Sequence, residues 1–134
     1  MKAMRWMQAA AAVMLALWMT GCMSVKNNYL TCKDFAAVLA KHQIPVTKMQ
    51  PLNPDVLRAS EGMAFEIAGQ DIGVYKFNQD QNIRAKRLEQ IKKSGCIFLL
   101  GCKYPTLIHG SFILIGYEKS KYRNQIIEAF SEFN

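Results

Sequence analysis

The residues of this 134-residue chain whose types could do covalent or acid–base chemistry are 4 cysteines, 2 histidines and 10 carboxylates. A thiol enzyme needs one cysteine beside a histidine and a group that orients the ring. Cys96 or Cys102 with His109 could supply the first two, so a small enzyme or thiol redox protein is one reading. His109 precedes Gly110, however, and a residue that tolerates unusual backbone angles there suits a tight turn. His42 continues the apolar side of a helix and reads as a packing residue. No Cys-x-x-Cys pair occurs and neither histidine stands at zinc-finger spacing from a cysteine, so no metal site is expected. Glu66 falls within a strand, and Asp71 and Glu118 at element ends. Glycoside hydrolysis needs two carboxyls about 5 Å or about 6.5 to 9.5 Å apart, and nothing in their spacing sets such a pair. The glycines Gly69, Gly73, Gly95, Gly101 and Gly110 are isolated, which leaves no phosphate-cradling loop. The residues thus point to no catalytic group and no bound cofactor.

Cys22 stands apart from the other thiols. Lys2 and Arg5 open the chain, an uncharged run from Met7 to Met19 follows, and Thr20, Gly21 and Cys22 close it. Basic, then apolar, then small is the order of a secretory signal peptide. The apolar part is shorter than the roughly 20 residues that cross a bilayer core, so cleavage is expected. Met19-Thr20-Gly21-Cys22 resembles the lipobox of bacterial lipoproteins. That resemblance covers the first 22 residues and implies cleavage between Gly21 and Cys22. It also implies diacylglycerol on the Cys22 thiol and a fatty acid such as palmitate on the new amino group. Two or three acyl chains anchor a protein stably to a lipid bilayer. An ordinary secretory peptide with a cysteine at its cleavage site is the alternative. Met23 and Ser24, where the enterobacterial sorting pattern would retain a protein through Asp, imply the outer membrane facing the periplasm in a cell with two membranes.

Residues 1–21 then form the signal, 22–30 a short lipidated tether and 31–134 one domain, since a second core would not fit. Removing Lys2 and Arg5 from the 17 basic residues leaves 15 against 10 acidic ones, a formal charge of +5. This balance favours anionic headgroups or another anionic envelope component, and export argues against nucleic acid. Three cysteines remain, so at most one intrachain bridge can form. Cys96 and Cys102 are the candidate disulfide, and Cys32 reads as a buried free thiol. A bridge needs Cα atoms about 4.4 to 6.8 Å apart, whereas six strand steps would part them by roughly 20 Å. Either the chain bends near Gly101, or Ile97-Phe98-Leu99-Leu100 is a buried strand and all three thiols stay reduced.

The elements that would position these residues follow from hydrophobic period. Thr31 and Asp34 suit a helix start, and Phe35, Val38, Leu39 and His42 recur at helical spacing before Pro45. Residues 44–60, with Pro45, Pro51 and Pro54, read as an irregular connection with a helical turn near Val56 and Leu57. Met63, Phe65 and Ile67 alternate with Ala64, Glu66 and Ala68, and a turn at Gly69-Gln70-Asp71 leads to a second strand over 72–77. Asn82 opens a helix with Ala85, Leu88 and Ile91 inward, closed by Gly95. The continuous apolar runs 97–100 and 111–117 suggest strands covered on both faces. Tyr122, Ile126, Ala129, Phe130 and Phe133 close the chain at helical spacing. The order is α-β-β-α-β-β-α, a single small α+β domain with a mostly antiparallel sheet and packed helices. Arg84, Lys86, Arg87, Lys92 and Lys93, with Lys103, Lys119, Lys121 and Arg123, would form an anion-binding patch if the second and third helices share a face. Otherwise they are solvated exteriors.

The stretch from Val74-Tyr75-Lys76-Phe77 through Gly95 to Ile113-Leu114-Ile115-Gly116-Tyr117 is similar to small domains of poorly characterised bacterial lipoproteins. The similarity spans roughly half the chain and transfers no catalytic residues. The lipobox resemblance implies a membrane-anchored envelope lipoprotein, and the lack of a catalytic constellation favours a non-enzymatic module that binds or scaffolds another envelope component over a small envelope enzyme or thiol redox protein using Cys96 or Cys102.

Overall fold

Changes of hydrophobic period along the chain become changes of element. A computed structural model describes residues 27–134, so the expected signal peptide, the expected cleavage between Gly21 and Cys22 and the expected acylation of Cys22 fall outside the described residues. A 3-10 turn, Cys32–Asp34, runs into α1 (Phe35–Lys41). β1 (Lys48–Pro51) and a second 3-10 turn (Pro54–Leu57) precede β2 (Glu61–Ile67), β3 (Gln70–Lys76) and α2 (Asn82–Ser94). Four short strands follow, β4 (Cys96–Leu99), β5 (Cys102–Pro105), β6 (Leu107–His109) and β7 (Phe112–Ile115), and α3 (Arg123–Ser131) ends the fold. The main sheet is antiparallel in the order β1-β2-β3-β7-β6, with β4-β5 as a separate hairpin. The expected α+β class and mostly antiparallel sheet are what the chain forms. Three strands are additional, and one of them, β6, pairs with β7 as the outer strand of the main sheet. β1 lies in the proline-containing connection as an exposed edge strand, and β5 pairs with β4 just after Gly101. Among the described residues no helix is long and apolar enough to cross a membrane.

β7 explains why its sequence is a continuous apolar run. Phe112 and Leu114 face one core with Phe35, Phe65, Val74 and Phe133, under α1 and α3. Ile113 and Ile115 face a second core with Tyr75, Leu88, Ile91 and Ile97, under α2 and the hairpin. The molecule is therefore three-layered, with the sheet in the middle and buried on both faces. In the first core, the Phe133 ring lies 4.6 Å from that of Phe112 and 5.2 Å from that of Phe35. Each such buried aromatic stabilises the fold by about 1.5 to 3 kcal/mol. The run 97–100, in contrast, is covered on one side only: Ile97 is buried while Phe98 is 67% exposed and Leu100 wholly so. The hairpin lies outside the main sheet, so its outward side meets solvent.

The fold includes residues ahead of Thr31, reaching back to Asn27 among the described residues. Asn27 is buried, its Nδ2 donates to the carbonyls of His109 and Phe133 at 3.0 Å, and its Oδ1 accepts from Ser111 N–H at 2.9 Å. Gly110 has left-handed φ (+60°), and a Cβ there would sit 2.1 Å from Asn27 Oδ1. Asn28 donates to Asn78 and Asp80 and accepts from Gln79 N–H and the Ser111 hydroxyl. Polar composition suggested a solvated linker, yet these amides satisfy backbone groups of the β6–β7 turn and the β3–α2 loop. Farther on, the Asp34 carboxylate accepts from the Thr31 N–H at 2.7 Å and the Thr31 hydroxyl at 3.0 Å, which starts the first helical segment.

The register gives the sheet two distinct ends. Glu61, Lys76, Phe112 and His109 stand side by side at the end where the chain enters, next to Asn27. The β2–β3 turn and the end of β7 at Ile115 mark the far end.

Candidate functional site

At the far end the β4–β5 hairpin turns through Leu100 and Gly101, both with left-handed φ (+50° and +78°), between the paired residues Leu99 and Cys102. Two consecutive left-handed residues are the pattern of a type I′ turn, which favours Asn-Gly. Leucine there costs roughly 1 kcal/mol of backbone strain, and its side chain is nevertheless wholly in solvent. Phe98, paired with Lys103, adds a second exposed apolar side chain on the same hairpin. These two residues went unrecognised in the sequence because they sit inside an apolar run that resembled a buried strand.

Between this hairpin and the end of the main sheet lies an open groove of about 530 Å³, lined among others by Asp71, Cys102, Lys103, Tyr104, Glu118 and Lys119. Of the three carboxylates singled out above, Asp71 and Glu118 come to this groove. Glu66 stands opposite Asp71 in the β2–β3 ladder and accepts from the Thr47 hydroxyl at 2.9 Å. Glu118 Oε1 is buried without a hydrogen-bond partner among the described residues. Lys103 and Lys119 give the groove both signs of charge, which suits recognition of a polar partner.

The cysteines and histidines do not converge. His109 lies at the entry end, its Nε2 2.8 Å from Asn134 Oδ1, while Cys102 lines the far-end groove. His42 is half-buried, as a packing residue should be, and its Nε2 is 2.7 Å from Glu132 Oε2. Among the described residues no histidine hydrogen-bonds a cysteine. Cys96 and Cys102 are both free, which corrects the expected bridge. The chain does bend at Gly101, but the bend is a hairpin in which Cys96 opposes Pro105 and Cys102 opposes Leu99. The two cysteines are three steps apart along that ladder, so strand alternation sends their side chains to opposite faces. Cys32 is the buried free thiol expected. Its Sγ donates to Val74 O at 3.5 Å and its N–H donates to Glu61 Oε1. Burial, and then the neighbouring Glu61 carboxylate, hold this thiol far above its ordinary pKa, so it is a poor nucleophile. Among the described residues no group of three His, Cys, Asp or Glu is arranged to hold a metal ion.

The shared basic patch does not form either, because α2 and α3 cover opposite faces of the sheet. On α2, Arg87 Nε donates to Leu57 O and Lys92 pairs with Glu89 at 3.1 Å, while Lys86 and Lys93 are exposed. No family model matches the chain, and neither a curated protein nor a solved structure matches it.

Proposed function

We propose that this protein is a lipid-anchored lipoprotein of the cell envelope, a non-enzymatic binding module that presents the far end of its sheet to another envelope component. Diacylglycerol and a fatty acid on Cys22 hold it on the membrane, at the periplasmic face of the outer membrane in a cell that has two. The observation that carries this reading is the exposure of Leu100 and Phe98 beside the groove, at the end of the sheet opposite the one where the chain from Cys22 enters. Exposed apolar side chains on a strained turn are a poor choice for stability alone and a good one for contact. The separation of cysteines from histidines, with Cys32 held protonated, favours binding over thiol catalysis.

Metabolic labelling with a fatty acid tests the anchor. The wild-type chain takes up label, and Cys22→Ser abolishes it and leaves unprocessed precursor. A labelled serine variant would overturn the reading. In the same cells, a photo-cross-linker at Leu100 captures an envelope component that a cross-linker at exposed Gln90 on α2 does not; equal capture at both positions counts against the far-end site.

A further inference from the structure

Only five residues, Cys22 to Lys26, separate the acylation site from Asn27, and Asn27 is bonded into the fold. At about 3.3 to 3.6 Å per residue that connection reaches at most roughly 17 Å. The headgroup layer on one side of a bilayer is itself about 5 to 8 Å deep, so the entry end of the domain has to stay close to the lipid surface. What that end exposes therefore matters.

Tyr29 is 74% exposed, directly after the two asparagines that fix the chain. Ile83, in the first turn of α2, is 71% exposed. Arg58 and Arg84 line one shallow depression with Ile83. The Asn28 amide ties the Tyr29 segment to the loop that leads into this turn, through Asn78 and Asp80. Asp80 is the acidic side chain of that loop, and Lys33 is exposed in the 3-10 turn that follows Tyr29. An exposed aromatic, an exposed aliphatic and arginines gathered round the point of anchorage are the composition of a bilayer interface.

We propose that the entry end is a membrane-resting surface, with Tyr29 and Ile83 at the headgroup–acyl boundary of an anionic bilayer and Arg58 and Arg84 beside its phosphates. This rests on acylation of Cys22. The surface does not hold the protein on the membrane, which the acyl chains do; it sets which way up the domain stands.

Trp6 and Trp18, the two tryptophans of the sequence, both precede Cys22, so the mature chain has none and a single introduced tryptophan reports its own position. Tyr29→Trp, Ile83→Trp and Leu100→Trp are purified as mature protein from cells and reconstituted in vesicles of phosphatidylethanolamine and phosphatidylglycerol. Mass spectrometry of the N-terminal peptide establishes acylation in each. Tryptophan at 29 and at 83 emits to the blue and is quenched by lipids brominated on their acyl chains, and tryptophan at 100 shows neither effect. Combining Arg58→Glu and Arg84→Glu with Ile83→Trp weakens the quenching. Acylated protein with water-like, unquenched emission at 29 and 83, or with equal quenching at 100, overturns this surface and leaves the anchored reading standing. Mature protein without acyl chains on Cys22 overturns both.

Discussion

Asn27 shows how one side chain can move a domain boundary. Its amide serves three backbone groups, the carbonyls of His109 and Phe133 and the N–H of Ser111, and it packs on a glycine that leaves no room for a methyl group. Asn27→Ala strands these groups in a buried site and should destabilise the domain by roughly 2 to 3 kcal/mol, read from urea unfolding of the mature protein. An unchanged midpoint would mean that the segment before Leu30 is dispensable. The sequence could not reveal this role, because an asparagine in a polar stretch has the same local pattern whether it bonds water or a turn more than 80 residues away. Cys32 was more legible. It sits at helical spacing among apolar residues, and a thiol on that face has little choice but to be buried.

The legible elements are those whose hydrophobic pattern matches one buried surface, or two. β2 alternates and β7 is apolar throughout, and the structure buries Phe65 and Ile67 on one side and β7 on both. β1 left no such trace, since Lys48, Gln50 and Pro51 are exposed and Met49 only half-buried. The β4–β5 hairpin misled because its apolar residues serve two environments, Ile97 in the core and Phe98 and Leu100 in water. Its turn gives a direct test of whether contact or stability chose the residue. Leu100→Asn suits two consecutive left-handed positions and should stabilise the domain by roughly 0.5 to 1 kcal/mol in thermal unfolding, while reducing far-end capture. A destabilised Asn variant would show that the leucine side chain packs on the domain.

At the scale of the whole molecule, side chains that hold protons in both cores link stability to pH. Burial, and then Glu61, raise the Cys32 thiol, and burial raises the Tyr75 phenol on the other face of the sheet. In the unfolded chain these groups return to ordinary values of 9.0 and 10.0. Their folded pKa values lie above the unfolded ones, so the stability they contribute is complete below about pH 9 and is lost progressively as pH rises beyond it. Unfolding free energy measured from neutral to alkaline pH should therefore fall above pH 9, and Cys32→Ala should make that fall shallower. A slope unaffected by the substitution would remove the thiol from this linkage.

The short connection ahead of Asn27 also has a geometric consequence. A seven-residue strand such as β2 is roughly 20 Å long, and the connection adds at most roughly 17 Å. On the proposed anchoring through Cys22, the hairpin tip stands within roughly 40 Å of the lipid. The molecule then acts as a ruler. Anchored in that way it would reach only structures within that distance of the bilayer, so distance from the membrane would become part of what it engages.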